Sequence, residues 1–103
     1  MTPQANQTVL GVANCIFSLA EVAMRNGSAE YARKLFGQAA SMYLHAGDLL
    51  GGANCIMRLA DIARSSSDFE CARSAYRQAL EMFQKIGDAV GEGVCARGLT
   101  NCP

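Results

Sequence analysis

The chain repeats itself over forty residues. Residues 51–90 read GGANCIMRLADIARSSSDFECARSAYRQALEMFQKIGDAV, and residues 11–50 read GVANCIFSLAEVAMRNGSAEYARKLFGQAASMYLHAGDLL. Sixteen of the forty aligned positions are identical, and they include Ala13/Ala53, Asn14/Asn54, Cys15/Cys55, Leu19/Leu59, Ala20/Ala60, Ala32/Ala72, Ala39/Ala79 and Gly47-Asp48/Gly87-Asp88. Self-similarity at a fixed period of this length indicates stacked structural repeats.

Each unit is predicted to form two helices, because its apolar residues recur at steps of three and four. In the second unit these residues are Cys55, Ile56, Leu59, Ile62 and Ala63, and then Phe69, Ala72, Tyr76, Ala79, Leu80 and Phe83. Asp68 can cap the second helix of that unit, and Gly87-Asp88 can end it and begin the next. Strand signals are absent, so we predict an all-α chain of five helices.

Small residues stand where two antiparallel helices would approach closely: Ala20, Ala32, Ala39, Ala60, Ala72 and Ala79. Larger side chains, which are Leu19, Phe36, Leu59 and Tyr76, are expected to fill the space around them. The spacing of these residues resembles the tetratricopeptide pattern. That pattern has a Leu-Ala pair, an Ala twelve residues after the pair's Ala, an aromatic residue four further on and another Ala three beyond it. The units are longer than the usual length of about 34 residues. They also lack the usual Gly, having Ala20 and Ala60 instead, and the usual Pro. By period alone, HEAT-type repeats compete with this assignment.

The resemblance implies stacked antiparallel helix hairpins in a single domain, with repeat 1 at about residues 11–50, repeat 2 at about 51–90 and a partial repeat or capping helix at 91–103. It also implies that the first helix of each pair lines a concave groove. Carried over by position, the groove residues are Asn14, Phe17, Glu21, Met24 and Arg25 in the first unit, and Asn54, Met57, Asp61, Arg64 and Ser65 in the second.

The groove composition suits a peptide. An Asn amide both donates and accepts hydrogen bonds, so Asn14 and Asn54 can pair with a peptide backbone of any sequence. Phe17 and Met57 would add adaptable apolar contact. The alternative is that Asn54 only caps or solvates a helix start and that its recurrence reflects duplication. The Lys and Asn set of a carboxylate clamp is not visible, so recognition of a free C-terminus is not expected.

Composition and cysteine usage narrow the function classes further. Nine basic and nine acidic residues leave no net charge, which argues against nucleic-acid partners. No uncharged apolar run of membrane-spanning length is present, so no membrane partner is expected. Five cysteines without a C-x-x-C pair favour a reduced, cytoplasmic protein. Cys15, Cys55 and Cys95 are interpreted as packing residues, because equivalent positions in stacked helices lie about 10 Å apart, too far for a disulfide.

Catalysis is not predicted. His45 is the sole histidine and has no evident nucleophile partner, no phosphate-binding loop is visible, and no cofactor or metal is implied. The main hypothesis is a protein-interaction module that binds a peptide or protein segment in its groove. The alternative is a self-associating structural module. The third unit is incomplete and contains Gly91, Gly93 and Gly98, which weaken a helix, so we expect a homo-oligomer or a fragment of a longer array.

Overall fold

Five α-helices make up the computed structural model, which describes residues 3–103. They are α1 (Pro3–Arg25), α2 (Ala29–His45), α3 (Leu49–Ser65), α4 (Phe69–Ile86) and α5 (Ala89–Thr100). Each helix packs on its neighbours in chain order, so α1 and α2 form one hairpin and α3 and α4 form the next. No strand occurs in residues 3–103. The predicted all-α stack of five helices is confirmed.

The junctions between helices follow the predicted turn chemistry. Gly47 and Gly87 adopt left-handed φ angles of 82° and 81°, which an L-residue rarely tolerates. Three aspartates then cap the following helices by accepting a hydrogen bond from a backbone N–H three residues on: Asp48 from Gly51 (2.9 Å), Asp68 from Cys71 (3.3 Å) and Asp88 from Gly91 (3.1 Å). Such a cap typically contributes about 1 kcal/mol to helix stability.

The alanine seams between helices, defined as Ala20, Ala32, Ala39, Ala60, Ala72 and Ala79, are fully buried at 0% exposure. The aromatic rings of Phe36, Tyr76 and Phe83 are buried beside them. The buried alanines confirm the predicted small residues at the helix contacts, and Phe36 and Tyr76 are confirmed among the larger residues predicted around them. A methyl side chain lets two helix backbones approach closely, and the rings fill the remaining space.

Glycines make a second kind of close contact, which the sequence analysis treated only as a weakness in α5. A Cβ atom at Gly91 would lie 2.3 Å from the Phe83 ring, and one at Gly98 would lie 2.4 Å from the Tyr76 ring. Gly51 has the same relation to Tyr43, at 2.4 Å. These glycines therefore seat the aromatic rings of the preceding helix, and they favour packing even though they cost helix propensity.

Two expected packing residues in α1 are exposed, and there the prediction was wrong. Leu19 is 54% exposed and Cys15 also faces outward, whereas its repeat equivalents Cys55 and Cys95 are buried. The cause is positional. The face of α3 that holds Cys55 packs on α2, and the face of α5 that holds Cys95 packs on α4. No helix of the described chain covers the corresponding face of α1.

The apolar character of α1 has a further consequence. Its segment Gln4–Arg25 is long and apolar enough to cross a membrane by length and composition alone. Core helices and signal sequences near an N-terminus meet the same criterion, so the finding is weak. The expectation of no membrane partner stays a prediction.

Two glycine substitutions test the role of the ring contacts. We expect Gly51→Ala to lower the free energy of unfolding by about 1–3 kcal/mol, because its methyl group would overlap the buried Tyr43 ring. Gly37→Ala, in the middle of α2 with nothing within 4 Å of the added carbon, should raise it by up to about 1 kcal/mol. Urea unfolding followed by circular dichroism measures both. Equal stabilisation by the two variants would contradict the packing role.

Candidate binding groove

Two adjoining cavities lie along the faces that α1 and α3 present side by side. The first, termed here the charged cavity, has a volume of about 460 Å³ and is lined by Glu21, Met24, Arg25, Phe36, Arg58 and Asp61. The second, termed the amide cavity, has a volume of about 290 Å³ and is lined by Asn14, Phe17, Tyr43, Asp48, Leu50, Gly51 and Asn54. The two cavities are neighbours, since the Phe17 ring of the amide cavity contacts the Phe36 ring of the charged cavity, and together they are termed the groove. The polar groups of the groove come mainly from the first helix of each hairpin.

Most of the sequence-predicted groove residues meet in these two cavities: Asn14, Phe17, Glu21, Met24, Arg25, Asn54 and Asp61. The structure places Met57 elsewhere, since it is 9% exposed and packs in the core with Ala53 and Ala60. Ser65 is exposed at the last residue of α3. That these residues bind a ligand stays a prediction.

Arg64 also lies outside both cavities. Its guanidinium carbon is 5.8 Å from the centre of the Tyr76 ring, within the range of a cation–π contact. One guanidinium nitrogen is 3.9 Å from a carboxylate oxygen of Asp61. Arg64 therefore contacts both the buried Tyr76 ring and the groove carboxylate of Asp61 without lining either cavity.

Arg58 is a groove residue that the sequence analysis missed. Its guanidinium bridges the two hairpins, with one nitrogen 3.6 Å from a Glu21 oxygen on α1 and another 3.9 Å from an Asp61 oxygen on α3. Its Nε atom is buried and has no hydrogen-bond partner among the described residues. Arg58 lies four residues after Asn54, on the same helical face, and that spacing is the signal that could have identified it.

Two tyrosine hydroxyls fix polar side chains of the groove. Tyr43 donates a hydrogen bond to Oδ1 of Asn14, and Tyr76 donates one to Oδ1 of Asp61. Burial raises the pKa of both tyrosines, and for Tyr76 the bond to Asp61 raises the pKa further. Both hydroxyls therefore keep their protons at physiological pH and act as donors.

The floor of the groove is apolar. Phe17 and Phe36 meet edge to face, with ring centroids 5.3 Å apart and an interplanar angle of 74°. Met24 packs in the same cluster and also lines the charged cavity. An apolar floor can receive a side chain of a polypeptide, and the amides and paired charges beside it can hydrogen-bond to the polypeptide's main chain.

The two buried thiols have properties unsuited to nucleophilic chemistry. Burial raises the pKa of Cys55 to about 12 and that of Cys95 to about 11. Both are therefore protonated thiols at neutral pH, whereas a nucleophilic cysteine needs its thiolate form. They serve as small apolar packing residues, as their sequence positions predict.

The comparisons with known proteins agree with this architecture. The sequence profile of the tetratricopeptide repeat matches residues 12–85, which include α2, α3 and most of α1 and α4. No curated protein and no solved structure shows significant similarity to the chain. Repeats of this kind are generally non-catalytic scaffolds that mediate protein–protein interactions. With its hairpins stacked through alanine seams and its profile matched over most of its length, the chain belongs to the tetratricopeptide repeat family.

Proposed function

We propose that this chain binds an extended peptide, or an extended segment of a protein, in the groove formed by the charged and amide cavities. One observation carries the proposal. Seven of the residues that the family resemblance implies for a groove line two neighbouring cavities between α1 and α3. A groove of this kind takes its affinity from main-chain hydrogen bonds and its specificity from pockets for side chains.

The dimensions suit a short peptide. Asn54 in the amide cavity and Asp61 in the charged cavity are seven residues apart on α3, which corresponds to roughly 10 Å along a helix. An extended chain covers that distance with about three residues, so a ligand of five or six residues would contact both cavities.

The charges in the groove balance one another. Glu21 and Asp61 face Arg25 and Arg58 in the charged cavity, so its formal charge is zero. Recognition would then depend on the arrangement of charges on the ligand and not on its total charge. In this proposal the module works as a cytoplasmic adaptor without catalytic activity of its own. The cytoplasmic location is inferred from the unpaired cysteines.

Self-association is a second candidate, favoured by the outer face of α1. Val12, Leu19 and Val22 are exposed there, and the face includes a shallow cavity of about 470 Å³ lined by Asn14, Cys15, Ser18, Leu19 and Val22. The equivalent face of α3 is the one that packs on α2. A second copy of the chain, placed with its own α1 against this face, would remove that apolar surface from water.

The groove is tested by Arg58→Ala. We expect peptides selected from a random six-residue display library to bind the wild-type chain and to lose at least tenfold in affinity to the variant, because Arg58 links both carboxylates of the charged cavity. Fluorescence anisotropy measures the affinity, and Gln84→Ala, an exposed change on α4, is the control. Equal binding by all three proteins, or no selected peptide, would refute the groove.

Self-association is tested by Leu19→Glu. Analytical ultracentrifugation at micromolar concentrations should show a dimer for the wild-type chain and a monomer for the variant, since a charge on the apolar face would be desolvated in the interface. Val90→Glu, at a site 77% exposed at the start of α5, should leave the dimer intact. A monomeric wild-type chain, or dissociation by both changes, would exclude this interface.

A further inference from the structure

The two repeat units differ in where their aromatic hydroxyls lie. The first unit has Phe36 and Tyr43, and the second has Tyr76 and Phe83 at the equivalent positions. Corresponding rings occupy corresponding places, since Tyr43 rests on Gly51 just as Phe83 rests on Gly91. At these two aromatic positions each unit therefore has one phenolic hydroxyl, but it stands at the second position in the first unit and at the first position in the second unit.

This exchange changes which groove residues accept a hydrogen bond from a tyrosine hydroxyl of the same chain. In the first unit the Tyr43 hydroxyl holds Asn14, and in the second the Tyr76 hydroxyl holds Asp61. The repeat equivalent of Asn14 is Asn54, and the ring that corresponds to Tyr43 is Phe83, which has no hydroxyl. Within residues 3–103 the Asn54 side chain makes no hydrogen bond, although it is half-buried at the amide cavity.

The same exchange affects the two carboxylates. Asp61 accepts from Tyr76 and lies 3.9 Å from both Arg58 and Arg64. Glu21 lines the same cavity as Phe36, which has no hydroxyl, and its ion pair is with Arg58 at 3.6 Å. The structure thus fixes one amide and one carboxylate, in different units, and leaves their repeat equivalents less constrained.

We infer that Asn54, and not its repeat equivalent Asn14, is the amide that pairs with the main chain of a bound peptide. This inference rests on the proposed function of the groove. The Asn54 amide can donate to a peptide carbonyl and accept from the N–H of the same residue, which is a two-bond contact independent of side-chain identity. Asn14 is a positioning residue, which orients the Tyr43 ring against Gly51.

Asn14 is the poorer ligand contact because the Tyr43 hydroxyl already occupies one of the two lone pairs of its oxygen and so fixes the orientation of its amide. If that oxygen turned to accept from a peptide N–H, the Tyr43 hydroxyl would lose its acceptor in a ring that is only 5% exposed. A buried donor without a partner is unfavourable, so the bond to Asn14 opposes the exchange. No such bond opposes pairing at Asn54.

Pairing at Asn54 also agrees with the register of the groove. Asn54 and Arg58 are four residues apart on one face of α3, and Arg58 reaches the charged cavity. A peptide whose main chain pairs with Asn54 therefore continues directly toward Arg58, Glu21 and the apolar floor.

The test uses a peptide selected on the wild-type chain from six-residue peptides that are acetylated at one end and amidated at the other, so that no terminal charge contributes. We expect Asn54→Ala to weaken its binding at least tenfold and Asn14→Ala to weaken it less than threefold. Equal losses from the two changes would overturn the inference. Circular dichroism confirms that each variant folds.

A pair of hydroxyl variants tests the cause without removing any amide. Phe83→Tyr should give Asn54 an internal donor like that of Asn14 and lower peptide affinity at least threefold, whereas Phe69→Tyr, which adds the same hydroxyl at the start of α4 and outside both cavities, should not lower it. Unchanged affinity in Phe83→Tyr would overturn the inference. Failure of the groove itself is distinguishable, because Arg58→Ala would then also leave binding unchanged.

Discussion

Close approach of helix backbones through residues with little or no side chain is the constraint on which this structure depends. Fully buried alanines such as Ala20 and Ala60 bring helices together within and between hairpins. Gly51 and Gly91 then receive the rings of Tyr43 and Phe83 from the preceding helix. The same contacts recur after forty residues, so each helix pair packs on the preceding pair with the same geometry. Repetition of this contact produces the stack.

The groove is a consequence of that packing. Stacking places the open faces of α1 and α3 side by side, so residues distant in sequence, such as Glu21 and Arg58, come within ion-pairing distance. The same rings that seat on the glycines carry the hydroxyls that hold Asn14 and Asp61. Core and groove therefore share the side chains of Tyr43 and Tyr76.

Sequence reasoning predicted the features that repeat and missed those that depend on position in the stack. The helix junctions at Asp68 and Gly87-Asp88, with their aspartate caps, and the alanine seams follow from local chemistry and periodicity, and they are confirmed. Repeat equivalence wrongly placed Leu19 and Cys15 in the core, because it does not show that no helix of the described chain covers that face of α1. The packing roles of Gly91 and Gly98 were not visible either, since a glycine's neighbour lies on another helix.

In the groove, the family resemblance identified Asn14, Glu21, Asn54 and Asp61, but the hydrogen bonds that distinguish them arise across helices. The most direct measurement of the account is a peptide titration followed by NMR, with the side-chain amides of Asn14 and Asn54 assigned. We expect the largest shifts at the Asn54 amide and at backbone amides of α1 and α3 that line the two cavities. Shifts concentrated on α4, with α3 unchanged, would contradict it.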